Sequence, residues 1–197
     1  MLVLSLSFHE AAHAWTANRL GDPTARMLGR LTLNPLAHID WIGTVLFPLI
    51  AMTSGVPLIG WAKPVPVNVH NLREPRRDFA IVALAGPVSN LILAAGGAIL
   101  FRVVSPLIPE SVAWAAVAVD FLFLMVVINT LLAFFNMIPV PPLDGGNVLM
   151  GVVPERVALT IGWLRPYGFV IIYVLMLSGT LSRIIFPLQQ WVLTWLL

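Results

Sequence analysis

The chain has 197 residues, of which 59% are hydrophobic and only 10% charged, whereas soluble domains carry about 25% charged and about 45–50% apolar residues. A chain this small cannot hide such an apolar excess inside a globule, and a mean hydropathy of +0.92 puts most of it in lipid. This excludes a soluble enzyme and a disordered chain. The formal charge of +2 comes without a basic block, so nucleic acid is not an expected partner, and the absence of cysteine removes disulfides, thiolate chemistry and Cys-based metal sites. Any transition-metal site must use His and carboxylate, within one integral-membrane domain over residues 1–197.

In chain order, residues 1–8 lack the basic start and small-residue cleavage site of a signal peptide. They are expected to belong to a retained membrane helix over 2–20, short on its N-terminal side. Two connections, 29–35 and 63–69, alternate apolar with polar or Pro residues, which predicts short strands. Paired, these strands would form a small sheet at the membrane surface, inside an interfacial region over 29–69. Between them, 41–61 contains Pro48, Gly55, Pro57 and Gly60, as either a span or a re-entrant pair buried against protein. Arg19, Arg26 and Arg30 precede it and Lys63, Arg73, Arg76 and Arg77 follow it. The positive-inside rule therefore places both connections in the cytoplasm and favours the re-entrant reading; the membrane is expected to be that of a prokaryotic cell.

Core helices are predicted over 79–101 and 112–138, with Gly86, Gly96 and Gly97 allowing close packing and Asn90 and Asn129 hydrogen-bonding across helices. A C-terminal membrane segment over 167–197, broken at Gly179 and Pro187, is expected to end in an interfacial helix with Trp191 and Trp195. The predicted fold is an all-α polytopic bundle of about 4–5 membrane segments with a small interfacial β-hairpin or sheet.

Against this background each acid is conspicuous, because a charge within lipid is costly and usually functional. Asp22, Asp40, Glu74, Asp78, Glu110 and Glu155 fall in connections or at helix ends and read as solvated or capping groups. Asp120 reads as a helix-start or interface position. Glu10 stands in His9-Glu10-Ala11-Ala12-His13. Spacing of i and i+4 puts both imidazoles on one helix face, able to grip one zinc ion, with Glu10 beside the first ligand as general base. Tetrahedral zinc then lacks one protein ligand. Asp144 is the best candidate: it follows Pro139, Pro141 and Pro142, which end a helix, and precedes Gly145 and Gly146, which permit a tight turn. Broken backbone at membrane depth needs a wet or protein-lined cavity. His38 reads as a structural hydrogen-bonding residue, with a contact near the site as the lesser alternative, and His70 as exposed.

The motifs Phe8-His9-Glu10-Ala11-Ala12-His13 and Asn136…Pro139…Leu143-Asp144-Gly145 resemble the two signatures of the site-2 proteases, intramembrane zinc metalloproteases. Gly21-Asp22-Pro23, Gly29 to Pro35, Gly60 to Asn68 and Gly86-Pro87-Val88-Ser89-Asn90 extend the likeness across most of the chain. The resemblance implies His9, His13 and Asp144 as ligands of one zinc ion and Glu10 as catalytic acid and base. It also implies that Asn136 orients the substrate backbone or the developing oxyanion. The strands ending at Asn34 and Asn68 would pair with an extended substrate. The expected activity is hydrolysis of peptide bonds within or near the transmembrane segments of membrane proteins, with the site towards the cytoplasmic side. A non-catalytic metal-binding scaffold or carrier is the alternative, and a base beside a ligand argues against it.

Overall fold

The computed structural model describes residues 1–54, 60–107 and 113–197. Its first helix, α1 (Leu2–Arg19), turns its polar side chains inward. Ser5, His9, His13 and Ala17 recur every fourth residue and are all buried, while Leu2, Val3, Leu4, Phe8 and Trp15 are exposed. An apolar exterior costs nothing in lipid, and the small Ala11, Ala14 and Ala17 let the next backbone come close.

That neighbour is α4 (Pro75–Val104), which starts with Pro75 in its first turn and packs against α1, α5 (Ala113–Asn136) and α6 (Asp144–Val152). At 1.5 Å per residue its 30 residues extend about 45 Å, beyond the ~30 Å of hydrocarbon. Near its start the Asp78 carboxylate accepts from Glu74 N (2.9 Å). Near its end Arg102 reaches the Trp195 carbonyl of α9 (Thr180–Leu196) at 2.8 Å.

By length and composition, three helical stretches among the described residues can cross a membrane: Pro75–Leu107, Ala116–Asn136 and Glu155–Leu177. The expected count of about 4–5 is higher because α1, with its inward Ser, His and Glu side chains, and the 17-residue α9 fall outside that set. The third stretch begins earlier than the predicted residue 167. It joins α7 (Glu155–Gly162), a single turn over Arg165–Tyr167 and α8 (Gly168–Leu177). The chain then breaks at Gly179, whose φ of 73° suits glycine. Pro187 does not break it: the residue lies inside α9. Asp120 does not start a helix either, since α5 begins at Ala113 and carries Asp120 exposed on its flank.

The predicted sheet is not formed: among the described residues there is no strand. After α1 come one turn of helix, α2 (Thr24–Met27), and a 3-10 turn over Pro35–Ala37. A π-helical stretch over Trp41–Leu46 continues into α3 (Phe47–Ser54). Residues 60–68 run without regular structure. Their alternation is real, but Pro64 and Pro66 leave one edge of the run without N–H donors, and on the other Val65 N donates to the Glu10 carboxylate. It is tied down by other means. Arg30 Nη2 donates to Lys63 O (2.7 Å), Lys63 N to His38 O (2.9 Å) and Thr44 Oγ1 to Trp61 O (2.8 Å). Trp61 N donates to Gly43 O (3.2 Å), so by Trp61 the chain is back beside the start of the Trp41–Ser54 helix, itself too short to span alone. Gly55, Pro57 and Glu110 lie outside the described residues.

Candidate metal centre

α1 and the first turn of α6 bring His9, His13 and Asp144 together at the face of α4. His9 Nε2 lies 3.0 Å and His13 Nε2 3.4 Å from Asp144 Oδ2, and the two Nε2 atoms are 3.0 Å apart. Each ring is held from behind. His13 Nδ1 meets the Val82 carbonyl at 2.7 Å and His9 Nδ1 meets Asn90 Oδ1 at 2.7 Å. A carbonyl oxygen only accepts, so both Nδ1 atoms carry a proton, and in the neutral rings both Nε2 atoms present lone pairs. Asp144 Oδ2 is buried with no hydrogen-bond donor. With neutral rings three acceptors converge here, an arrangement that a bound cation would satisfy. The ligand atoms all lie within 4.8 Å of one another, and two imidazoles with one carboxylate suit zinc. Ring nitrogens bonded from behind are also usual for metal-binding His. Gly86 completes the cradle, since a Cβ there would strike both imidazoles.

Asp144 is delivered by the broken stretch after α5. Residues 137–143 leave the helix, with a cis bond between Pro141 and Pro142, and α6 starts at Asp144. The helix N-terminus favours its carboxylate. Gly145 and Gly146 are helical and take no part in the turn. A Cβ on either would collide with the backbone of Met137, Val140 or Pro141, so they are glycines because the broken stretch folds back onto the first turn of α6.

Glu10, buried beside His9, accepts from Val65 N at its Oε2 (2.8 Å). The run over 60–68 is therefore fastened to the zinc helix through this carboxylate. Glu10, His9, His13, Asn136 and Asp144 share a cavity of about 640 Å³ whose other walls include Trp61, Val65, Phe79, Phe135 and Phe169. Asn136 lines it at the last residue of α5, giving one amide hydrogen to Leu132 O (3.0 Å). Asn34 and Asn68 do not line it. Each caps a 3-10 turn, accepting from Leu36 N and His70 N respectively at 3.1 Å. His38 is buried against Thr32 O (2.9 Å) and His70 is exposed.

Sequence reasoning missed Asp22. Expected to be a solvated or capping group, it is fully buried where α1 ends and accepts from Thr24 N (3.1 Å), Thr24 Oγ1, Asn71 Nδ2 (2.9 Å) and Asn68 N (2.7 Å). Burial works to raise its pKa, but the hydrogen bonds from Thr24, Asn71 and Asn68 outweigh it and hold the carboxyl below the usual carboxylate range. Asp22 thereby clips the 60–71 connection to the zinc helix. The only sequence signal was its place between a glycine and a proline.

The model of Peptidase family M50 matches residues 101–161, the part that carries Asp144. YwhC of Bacillus subtilis, a proposed zinc metalloprotease, is 38% identical over 188 residues, covering 95% of this chain and 83% of the relative. Rip2 of Mycolicibacterium smegmatis, named likewise, is 34% identical over 191 residues, covering 96% of this chain and 70% of its own. The chain belongs to peptidase family M50, the site-2 protease family. Rip3 of Mycobacterium tuberculosis, also a proposed zinc metalloprotease, is 31% identical over 160 residues, 79% of the M50 chain described here and 30% of the relative. No solved structure matches this family member.

Proposed function

We propose that this M50 member is a zinc endopeptidase that hydrolyses peptide bonds within or beside the membrane-spanning segments of other proteins. One zinc ion would be held by His9, His13 and Asp144. The observation that carries the reading is the meeting of three ligand atoms, from His9, His13 and Asp144, with a separate carboxylate, Glu10, on the wall of the same cavity. A zinc ion bound there supplies Lewis acidity, polarising the scissile carbonyl and acidifying water.

The chain's own groups do the rest. Glu10 Oε2 is occupied by Val65 N–H, so proton transfer falls to Oε1, which takes the proton of the attacking water and later gives it to the leaving amine. Asn136 keeps one amide hydrogen beyond the one given to Leu132 O; it orients the substrate carbonyl as negative charge develops. The aromatic walls exclude bulk water and strengthen these interactions. A helical substrate must unwind locally before attack, and an extended stretch can lie beside residues 60–68, which end at the turn that Asn68 caps; the turn that Asn34 caps leads to His38, whose carbonyl holds Lys63 N. We place Arg26, Arg73 and the mouth of the cavity on the cytoplasmic side, from the distribution of basic residues.

The test is metal analysis and cleavage of a single-span reporter substrate by the full chain in proteoliposomes. Glu10→Gln is expected to keep zinc and lose cleavage by about a hundred- to ten-thousandfold; Asp144→Ala is expected to lose both. Full cleavage by Glu10→Gln would sink the mechanism. A wild-type protein that binds zinc and cuts no membrane substrate would be a metal-binding scaffold or carrier instead.

A further inference from the structure

The polar side chains buried between α1, α4 and α5 form one directed chain of hydrogen bonds that ends at His9. It starts at a backbone carbonyl. Asn129 Nδ2 donates to Met125 O (2.8 Å) and to Ser5 Oγ (3.0 Å). Met125 O only accepts, so this end of the Asn129 amide is its NH2 and its Oδ1 faces the other way. That oxygen accepts from Asn90 Nδ2 (2.8 Å), for which Ser5 O is a second acceptor at 3.4 Å. Asn90 is thereby turned with Oδ1 towards His9 Nδ1, 2.7 Å away. Oδ1 cannot donate, so Nδ1 of His9 carries a proton, and in the neutral ring this leaves the lone pair on Nε2. Ser5, Asn90 and Asn129 are all essentially inaccessible to solvent, and their hydrogen bonds run to one another and to backbone carbonyls.

We propose that Asn90 and Asn129 are positioning residues that set the tautomer of His9, and that Asn129 governs metal affinity without touching the metal or either imidazole. The inference rests on reading His9 as a ligand. His13 needs no such relay, because its Nδ1 meets the backbone carbonyl of Val82, which has no other end to present. His9 meets an amide, which does. Without Asn129, nothing but Ser5 O distinguishes the two ends of Asn90. A flipped Asn90 would offer N–H to Nδ1, move the proton to Nε2 and block the ligand lone pair.

Two readouts on the full-length protein in detergent test this. The first is the His9 tautomer by nitrogen NMR of histidine-labelled, metal-free protein; the second is zinc affinity by chelator competition. Wild type is expected to show His9 protonated at Nδ1. Asn129→Leu is expected to show a mixture with the Nε2–H form and to bind zinc about tenfold or more weakly, as loss of a partner behind a ligand generally does. Asn129→Asp, kept neutral by burial between the helices, can donate its O–H to Met125 O while its other oxygen faces Asn90 Nδ2, and is expected to recover both readouts. Ser5→Ala leaves Met125 O in place and is expected to change neither. The relay is overturned if Asn129→Leu keeps His9 wholly in the Nδ1–H form, if Asn129→Asp weakens zinc as much as the leucine variant, or if Ser5→Ala shifts the tautomer. A wild-type protein that bound no zinc would sink the proposed function, while the metal-free tautomer comparison would still decide the relay.

Discussion

Helix α5 makes two seams of opposite character. Towards α1 and α4 it presents Asn129, tied to Asn90 and Ser5. Towards α9 it joins an apolar cluster of Ala94, Ala98 and Val126, against which Leu193, Leu196 and Leu197 pack, with Gln189 the polar contact identified on the α9 side. In lipid, apolar side chains gain little by leaving the solvent, so packing of the second kind holds helices together without prescribing the direction of any single group. Hydrogen bonds between amides have direction. The fold puts directional contacts where a ligand must point and adaptable ones where two helices need only touch.

Two glycines of α4 break the comparison most sharply. A Cβ on Gly86 would strike the imidazoles of His9 and His13, and rings fixed by Val82 O and Asn90 have nowhere to move. Gly86→Ala is therefore expected to abolish zinc binding by chelator competition and to reduce cleavage to background. A Cβ on Gly97 would approach Met125 and Val126 at 3.3 Å, and methionine can shift. The helix-propensity gain of about 0.5–1 kcal/mol offsets that crowding, so Gly97→Ala is expected to leave zinc affinity unchanged. Loss of zinc in both variants would show the seams to be mechanically one.

The same division explains what could be read in advance. The meeting of His9 and His13 was legible because spacing of i and i+4 puts both rings on one helix face, and the nearness of Asp144 because prolines mark broken backbone. Asn90 and Asn129 were recognisable as polar groups between helices, but their direction depends on Met125 O across the bundle, which spacing within one segment does not encode. The strands over 29–35 and 63–69 were wrongly expected because alternation describes side chains, whereas a ladder needs free N–H groups: Pro64 and Pro66 have none, and Val65 N goes to Glu10. The burial of Asp22 was hidden for a related reason, since its donors Asn68 and Asn71 are 46 and 49 residues away.

Asp22 supplies the next largest effect, on the connection outside both seams. Asp22→Ala leaves Asn68 N and Thr24 N without their acceptor, a loss of about 1–3 kcal/mol, and frees the run that carries Val65 to Glu10. Cleavage is expected to fall through a higher KM while zinc affinity holds. The pH dependence has a definite sign. Because the folded-state pKa lies below the ordinary value, the clip's stabilisation is fully present above about pH 3.9 and is lost as pH falls through the depressed value. Thermal melts should show Asp22→Ala losing stability relative to wild type across neutral and mildly acidic pH, with the gap closing only below that range. A gap that closed between pH 7 and 5 would contradict it.

The smallest effect is the most informative about the seams. Gln189 Nε2 donates to Val127 O (2.9 Å) and Thr130 Oγ1 (3.3 Å), tying α9 to α5 with bonds of the same kind as those of Asn129. Such bonds between membrane helices average only about 0.6 kcal/mol, because polar groups in the unfolded membrane state also find partners. Gln189→Leu and Asn129→Leu are therefore expected to lower thermal stability by similar, small amounts. Their difference should appear in zinc affinity alone, unchanged in the first and weakened in the second. If Gln189→Leu weakens zinc to the same degree, helix association in general sets the metal centre and amide direction does not. If only Asn129→Leu does so, at equal cost in stability, the buried amides serve orientation rather than cohesion.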